Sequence, residues 1–400
     1  MYQTASRIWL TAAGLSLLLP ASERLFIWLP LHLALAGAVT VAISGAMQTF
    51  AVTLTAAPSP PGWLMVSQFA LVNLGAGLIA VGRPTDLPGV VAVGGTSFVA
   101  AALLLGSIVW NARRRSLHHR HRFPIAMYLT AVGCVLAGGT LGALIGSGAV
   151  TDAGLWLKLR RAHMALNVMG FVSLTIAGTL ITLLPTVLRI RLPAWRGAAT
   201  GWLLGGGVSV LAAGLALGFR PAATVGALAY AAGSAGLVSM AATVFRTERR
   251  WPVPLSAKHF VAALVWFVAG SFGLVIAMLV GSFDGYRRPF LIAFVGGWAV
   301  QALLGAWLYL LPMGRPAHPD ERRGFLAMLE TGGTIQVLAL NMGLIVMAMR
   351  AVGWVPDIVG VLGVGLALGG AGIALVKAWM FPFLSRHGEP TERARAVWGG

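Results

Sequence analysis

Apolar residues along this chain fall in long blocks, separated by short links that carry nearly all of the charge. The blocks lie at 6–22, 28–55, 63–81, 89–110, 124–147, 160–187, 197–217, 221–245, 257–280, 290–311, 331–349 and 356–382. A helix needs about 20 residues to cross a hydrocarbon core roughly 30 Å thick. The pattern therefore predicts an all-α fold, a polytopic membrane helix bundle of about twelve transmembrane spans. The links are too short to hold a globular domain, so 1–385 reads as one transmembrane helical domain and 386–400 as a short tail. The first block, within MYQTASRIWLTAAGLSLLLPAS, also has the look of a signal peptide, because Arg7 precedes a short apolar stretch.

Charge decides between those readings of the first block. The links after blocks 2, 4, 6, 8 and 10, with the tail, hold seventeen arginines, from Arg113–Arg115 through Arg393 and Arg395. The opposite links hold nine basic residues, among them Arg24, Arg83, Lys158, Arg160 and Arg161. Basic residues collect on the cytoplasmic side, so both termini are expected in the cytoplasm of a cell whose inner membrane holds the chain. That requires an even number of spans and retains the first block as one.

Composition agrees with the pattern. Hydrophobic residues make up 58% and charged residues 10% of the 400 positions, against about 25% charged in soluble domains, and mean hydropathy is +0.83. The net charge of +18 would suggest nucleic acid in a soluble chain. Here the basic residues sit between membrane blocks, where they act as topology signals and contacts for anionic lipid, and nucleic-acid binding is set aside. A single cysteine, Cys134, excludes an intrachain disulfide and any two-cysteine metal motif.

The chain also repeats itself. Laying 159–185 over 286–312 matches Arg160 and Arg161 with Arg287 and Arg288, Gly170 and Gly178 with Gly297 and Gly305, and Pro185 with Pro312. Laying 37–49 over 170–182 matches Gly37 and Gly45 with Gly170 and Gly178. Blocks 2, 6 and 10 are thus related, each four helices from the last, which suggests three arcs of four helices. Gly170 and Gly178 lie near one helical face, where they admit either a close helix or a flat cofactor. Where block 10 has Phe290, block 6 has His163.

Two histidines are the leading candidates for chemistry. By the charge parity His32 and His163 lie at one depth, each a few residues into a helix from the extracytoplasmic side, and Asn167 is one turn beyond His163 on the same face. Imidazole suits haem iron, copper or zinc, and the bland alternative is an interfacial residue bonded to backbone, water or lipid. Met47, Met164 and Met169 are possible soft ligands, although methionine more often fills space. The run His118, His119 and His121 sits among arginines that oppose a metal cation. His259 is expected at the opposite surface, and His318 and His387 fall in polar connections. Glu330 is read as opening block 11, where with Thr334 and Asn341 it could begin a proton path. A carboxylate is also favourable at a helix N-terminus without any function. Asn73, Gln301, Gln336 and Asn341 are buried amides that need partners across helix contacts. No phosphate loop, HExxH motif, serine nucleophile motif or catalytic carboxylate pair occurs.

HLALAGAVTVAISGAMQTF (32–50) and HMALNVMGFVSLTIAGTLITLLP (163–185), with twelve spans in a three-by-four plan, resemble the haem-copper oxidase subunit I superfamily. They are more similar to its distant NnrS-like relatives, integral membrane proteins associated with haem, copper and nitric-oxide stress. The resemblance implies that His32 occupies the outer haem-ligand position and that His163 matches the sixth-span histidine of the relatives. It implies haem or copper as cofactor, held by His32 and His163 with Asn167, Gly170 and Gly178 around it, and an electron-transfer or respiratory partner. It departs from the active oxidases, because blocks 7, 8 and 10 contain no histidine and the oxygen-reducing binuclear centre has no ligands. The resemblance thus points to a haem- or copper-binding membrane protein of redox or nitric-oxide-related function. A polytopic transporter and a cofactor-free assembly or structural subunit of a respiratory complex are the alternatives. The transporter is weakened by the lack of a charged residue near mid-membrane.

Overall fold

A computed structural model describes residues 1–117, 121–190, 197–247, 253–281, 283–313 and 319–384. The expectations for His118, His119, His318, His387 and the tail from 386 fall outside the described residues. The chain is all-helical: α1 (Tyr2–Ser16), α2 (Trp28–Thr55), α3 (Gly62–Gly82), α4 (Pro88–Arg114), α5 (Arg122–Gly146), α6 (Ala153–Val187), α7 (Ala198–Leu217), α8 (Arg220–Thr247), α9 (Leu255–Val280), α10 (Arg287–Met313), α11 (Pro319–Glu330), α12 (Gly333–Ala351) and α13 (Asp357–Leu384). Among the described residues, eleven helices are long and apolar enough to cross a membrane. Side chains such as Trp202, Ile335 and Ile358 stand exposed on them, as the lipid-facing side of such a helix requires. The protein is a multi-pass membrane helix bundle.

Two segments differ from expectation. The first block forms a helix over Tyr2–Ser16, 15 residues long, or about 22 Å at 1.5 Å per residue, short of a full span. Pro20 follows, and Leu25 and Phe26 adopt positive φ, so the helix does not continue to 22. The link before block 11 contains α11, an additional helix whose charged sequence PDERRGFLAMLE read as a loop.

The chain divides into two compact units. The first comprises Met1–Ile181, Ala194–Met240 and Ser271–Phe283, and the second Thr182–Pro193, Ala241–Gly270 and Asp284–Gly400. Within them the repeat is structural, because the same contacts recur in each set of four helices. Gly37 of α2 packs under Trp9 of α1, Gly170 of α6 under Cys134 of α5, and Gly297 of α10 under Trp266 of α9. Directly around these glycines each of the three helices widens into a π-helical stretch, at Leu33–Val39, Ala165–Val172 and Leu291–Val300. π turns inside α-helices are uncommon and gather at functional sites.

The remaining helices of each set form a hairpin closed by two glycines. Gly75 meets Gly94 between α3 and α4, Gly207 meets Gly226 between α7 and α8, and Gly343 meets Gly363 between α12 and α13. Small residues let membrane helices approach until backbones touch. A Cβ on Gly207 would stand 2.6 Å from Tyr230 N and 2.9 Å from Gly226 O, and backbone atoms have no rotamer with which to yield. Gly207→Val is therefore expected to lower stability by about 1–3 kcal/mol, read as a lower melting temperature in detergent. An unchanged melting temperature would show that the hairpin is not held by this contact.

Candidate functional site

The most buried of the long apolar windows lies in α6, at 83%, and α6 carries His163. Its ring rests on two glycines of α5. A Cβ on Gly142 would lie 2.6 Å from His163 Cε1, and one on Gly138 would lie 2.5 Å from Asn167 Nδ2. The i, i+4 pair His163 and Asn167 thus seats on the i, i+4 pair Gly138 and Gly142. In that seat His163 Nδ1 lies 2.8 Å from Gly138 O. A carbonyl only accepts, so Nδ1 carries the proton and Nε2 presents its lone pair.

His32 reaches the same state by a local route. Its Nδ1 lies 2.8 Å from Trp28 O, one turn earlier on α2, and its ring stacks on the Trp28 indole at 4.0 Å and 23°. Both histidines are half-buried and stand within electrostatic range of one another inside the first unit. The π-helical stretches of α2 and α6 begin within two residues of them.

The accompanying residues are occupied with the scaffold. Asn167 Nδ2 donates to His163 O at 2.8 Å and approaches Nδ1 at 3.1 Å, so its amide braces the histidine. Gly170 abuts Cys134, and Gly178 abuts Met127 and Tyr128, which makes both of them helix contacts. Met47 is buried and its sulfur receives the Thr175 hydroxyl at 3.7 Å. Among the described residues no three of His, Cys, Asp and Glu come together. A copper or zinc ion held by protein donors alone would lack a third ligand of these types. Haem would need only two imidazoles from the protein, and protonation of both rings at Nδ1 suits that role.

The second unit holds a polar cluster that joins the expected buried amides Gln301, Gln336 and Asn341 to a lysine the sequence reading did not single out. Lys377 of α13 is 6% exposed, and its ammonium donates to Leu329 O at 2.9 Å, Thr331 O at 2.6 Å and Gln336 Oε1 at 3.2 Å. Gln336 Nε2 in turn faces His259 Nε2 at 3.0 Å. His259, expected at a surface, is fully buried. Beyond it Gln301 and Asn341 exchange two hydrogen bonds, and Trp266 Nε1 donates to Asn341 Oδ1. Glu330 ends α11 and does not open α12; its Oε1 accepts from Leu255 N at 2.8 Å and caps the start of α9. The signal available in the sequence was the lone lysine in LVKAWM, inside an apolar run.

No family model matches the chain, and no curated protein matches it.

Proposed function

We propose that this protein binds haem through His32 and His163 and serves a redox or nitric-oxide-related role in an inner membrane. The reading is carried by one observation: two histidines on related helices each engage Nδ1 with a backbone carbonyl and leave Nε2 free to ligate. The resemblance of 32–50 and 163–185 to NnrS-like and haem-copper oxidase segments supports the same assignment. Haem bound there would supply one-electron exchange. The chain's own part is to fix both ring tautomers and, through Gly138, Gly142 and Asn167, to hold His163 in one rotamer. A respiratory donor or acceptor is the partner such a site calls for.

Protein purified in mild detergent from haem-replete cells should show a Soret band and bound iron. Both should be lost in His32→Ala and in His163→Ala, with the melting curve retained. Haem-free wild-type protein from such cells would end this reading. A second reading, a transporter, is favoured by the buried cation Lys377 inside α13, because ionisable side chains within membrane segments mark ion and substrate routes. Lys377 lies near the end of its span, three residues before Met380, so it marks the mouth of such a route and not its middle.

A further inference from the structure

The three sets of helices are filled differently at one equivalent place. In the first set Trp9 lies on Gly37, donates from Nε1 to Asn73 Oδ1 at 2.8 Å, and brings its ring tip to 3.8 Å from a Cβ on Gly77. In the third set Trp266 lies on Gly297 and donates to Asn341 Oδ1 at 2.9 Å. The hairpin glycines Gly75, Gly207 and Gly343 fix the register of the partner helices. Asn73 and Asn341 therefore correspond to Gly205, and Gly77 corresponds to Ser209. In the second set Cys134 stands on Gly170 where the others have an indole.

The space left by that exchange is open. A cleft of about 460 Å³ lies between α5, α6 and α7, in the size range of small-molecule sites. Its walls include Cys134 and Ser209, the two positions that correspond to the base and the tip of the missing indole, with Gly133, Ala137, Ala162 and Leu166 beside them. Ala162 and Leu166 each precede a residue of the His163–Asn167 pair, so the cleft runs along α6 beside the histidine. Tryptophan and cysteine differ by a whole bicyclic ring, and the cleft lies where that ring would be.

We infer that this cleft binds a lipid-soluble bicyclic aromatic of the naphthoquinone class, its ring lying where the equivalent sets carry an indole. The ring system matches indole in thickness and is close to it in area. The walls are mostly alanine and glycine, as a flat ring requires, and the two hydroxyls among them, Thr130 and Ser209, donate within their own helices to Ala126 O and Gly205 O. A neighbouring acyl chain is the competing occupant, and it would fill the cleft without selectivity for a ring. The inference stands apart from the haem assignment, since none of the residues that form the cleft is a proposed ligand.

Cys134 is the only cysteine and is buried, so probe binding is read without chemistry at its thiol. The probe is 2,3-dimethyl-1,4-naphthoquinone, whose substituted ring resists addition of a thiol. In purified protein it should bind saturably by equilibrium dialysis and raise the melting temperature. Cys134→Trp, which restores the residue type of the other two sets, should weaken probe binding at least tenfold by equilibrium dialysis. Ala213→Phe, from the opposite wall, is the second variant should the first fail to fold. Haem content is measured in parallel, so that loss of haem and loss of the probe are separate results. No saturable binding by folded wild type, equal binding by a folded variant, or displacement of the probe by phospholipid alone would overturn the inference.

Discussion

Lys377→Met is expected to be the most damaging single substitution in the second unit. The ammonium has three donors and meets three acceptors: two backbone carbonyls at the α11–α12 junction and the Gln336 side chain. Methionine fills a similar volume and supplies no donor. Each buried acceptor left without a partner costs about 1–3 kcal/mol, and Leu329 O and Thr331 O lie at a helix C-terminus, where a cation is favourable. The loss of three such bonds is large against the 5–15 kcal/mol of a typical fold. The expected result is a sharp drop in melting temperature and faster proteolysis between α11 and α12. Lys377→Arg keeps the charge and the donors and should restore most of the loss. If Lys377→Met melts like wild type, the lysine does not fasten this junction and its burial serves something else.

That residue also marks where the sequence stopped being informative. A lone lysine near the end of an apolar run reads as a side chain snorkelling to the interface, and nothing local reveals that a partner helix offers it carbonyls. Glu330 misled for a related reason. A carboxylate next to the start of an apolar block suggests a helix N-terminus, but Gly332 at φ 66° separates it from α12, and the carboxylate caps α9 from a distance in sequence. The helix plan was legible because burial in lipid demands long apolar runs. The three-fold repeat was legible because Gly37, Gly170 and Gly297 each lie under a side chain of the preceding helix that leaves no room for a Cβ. The π-helical stretches left no trace in the pattern, since one widened turn does not alter which residues are apolar. The pairing of His32 with His163 was suggested by charge parity and by the repeat. The seat of His163 was not, because Gly138 and Gly142 are two among 52 glycines.

The second large effect is expected at that seat. Gly142→Ala adds one methyl group 2.6 Å from His163 Cε1 and 2.7 Å from Nδ1, well inside van der Waals contact. The ring must move away from α5, which breaks its hydrogen bond to Gly138 O and releases the constraint that keeps the proton on Nδ1. Loss of such an orienting partner typically lowers metal affinity about 10–100-fold. Gly142→Ala should therefore lower the ratio of haem iron to protein about tenfold or more, although Gly142 is not itself a ligand. The helix should not suffer, because alanine favours helix over glycine by roughly 1 kcal/mol, so the melting temperature of the haem-free form should hold. Gly206→Ala is the control, since its Cβ would meet nothing within 4 Å, and it should leave iron content unchanged. Equal iron in wild type and Gly142→Ala would mean that His163 does not need this position, and with that the argument for His163 as a ligand fails.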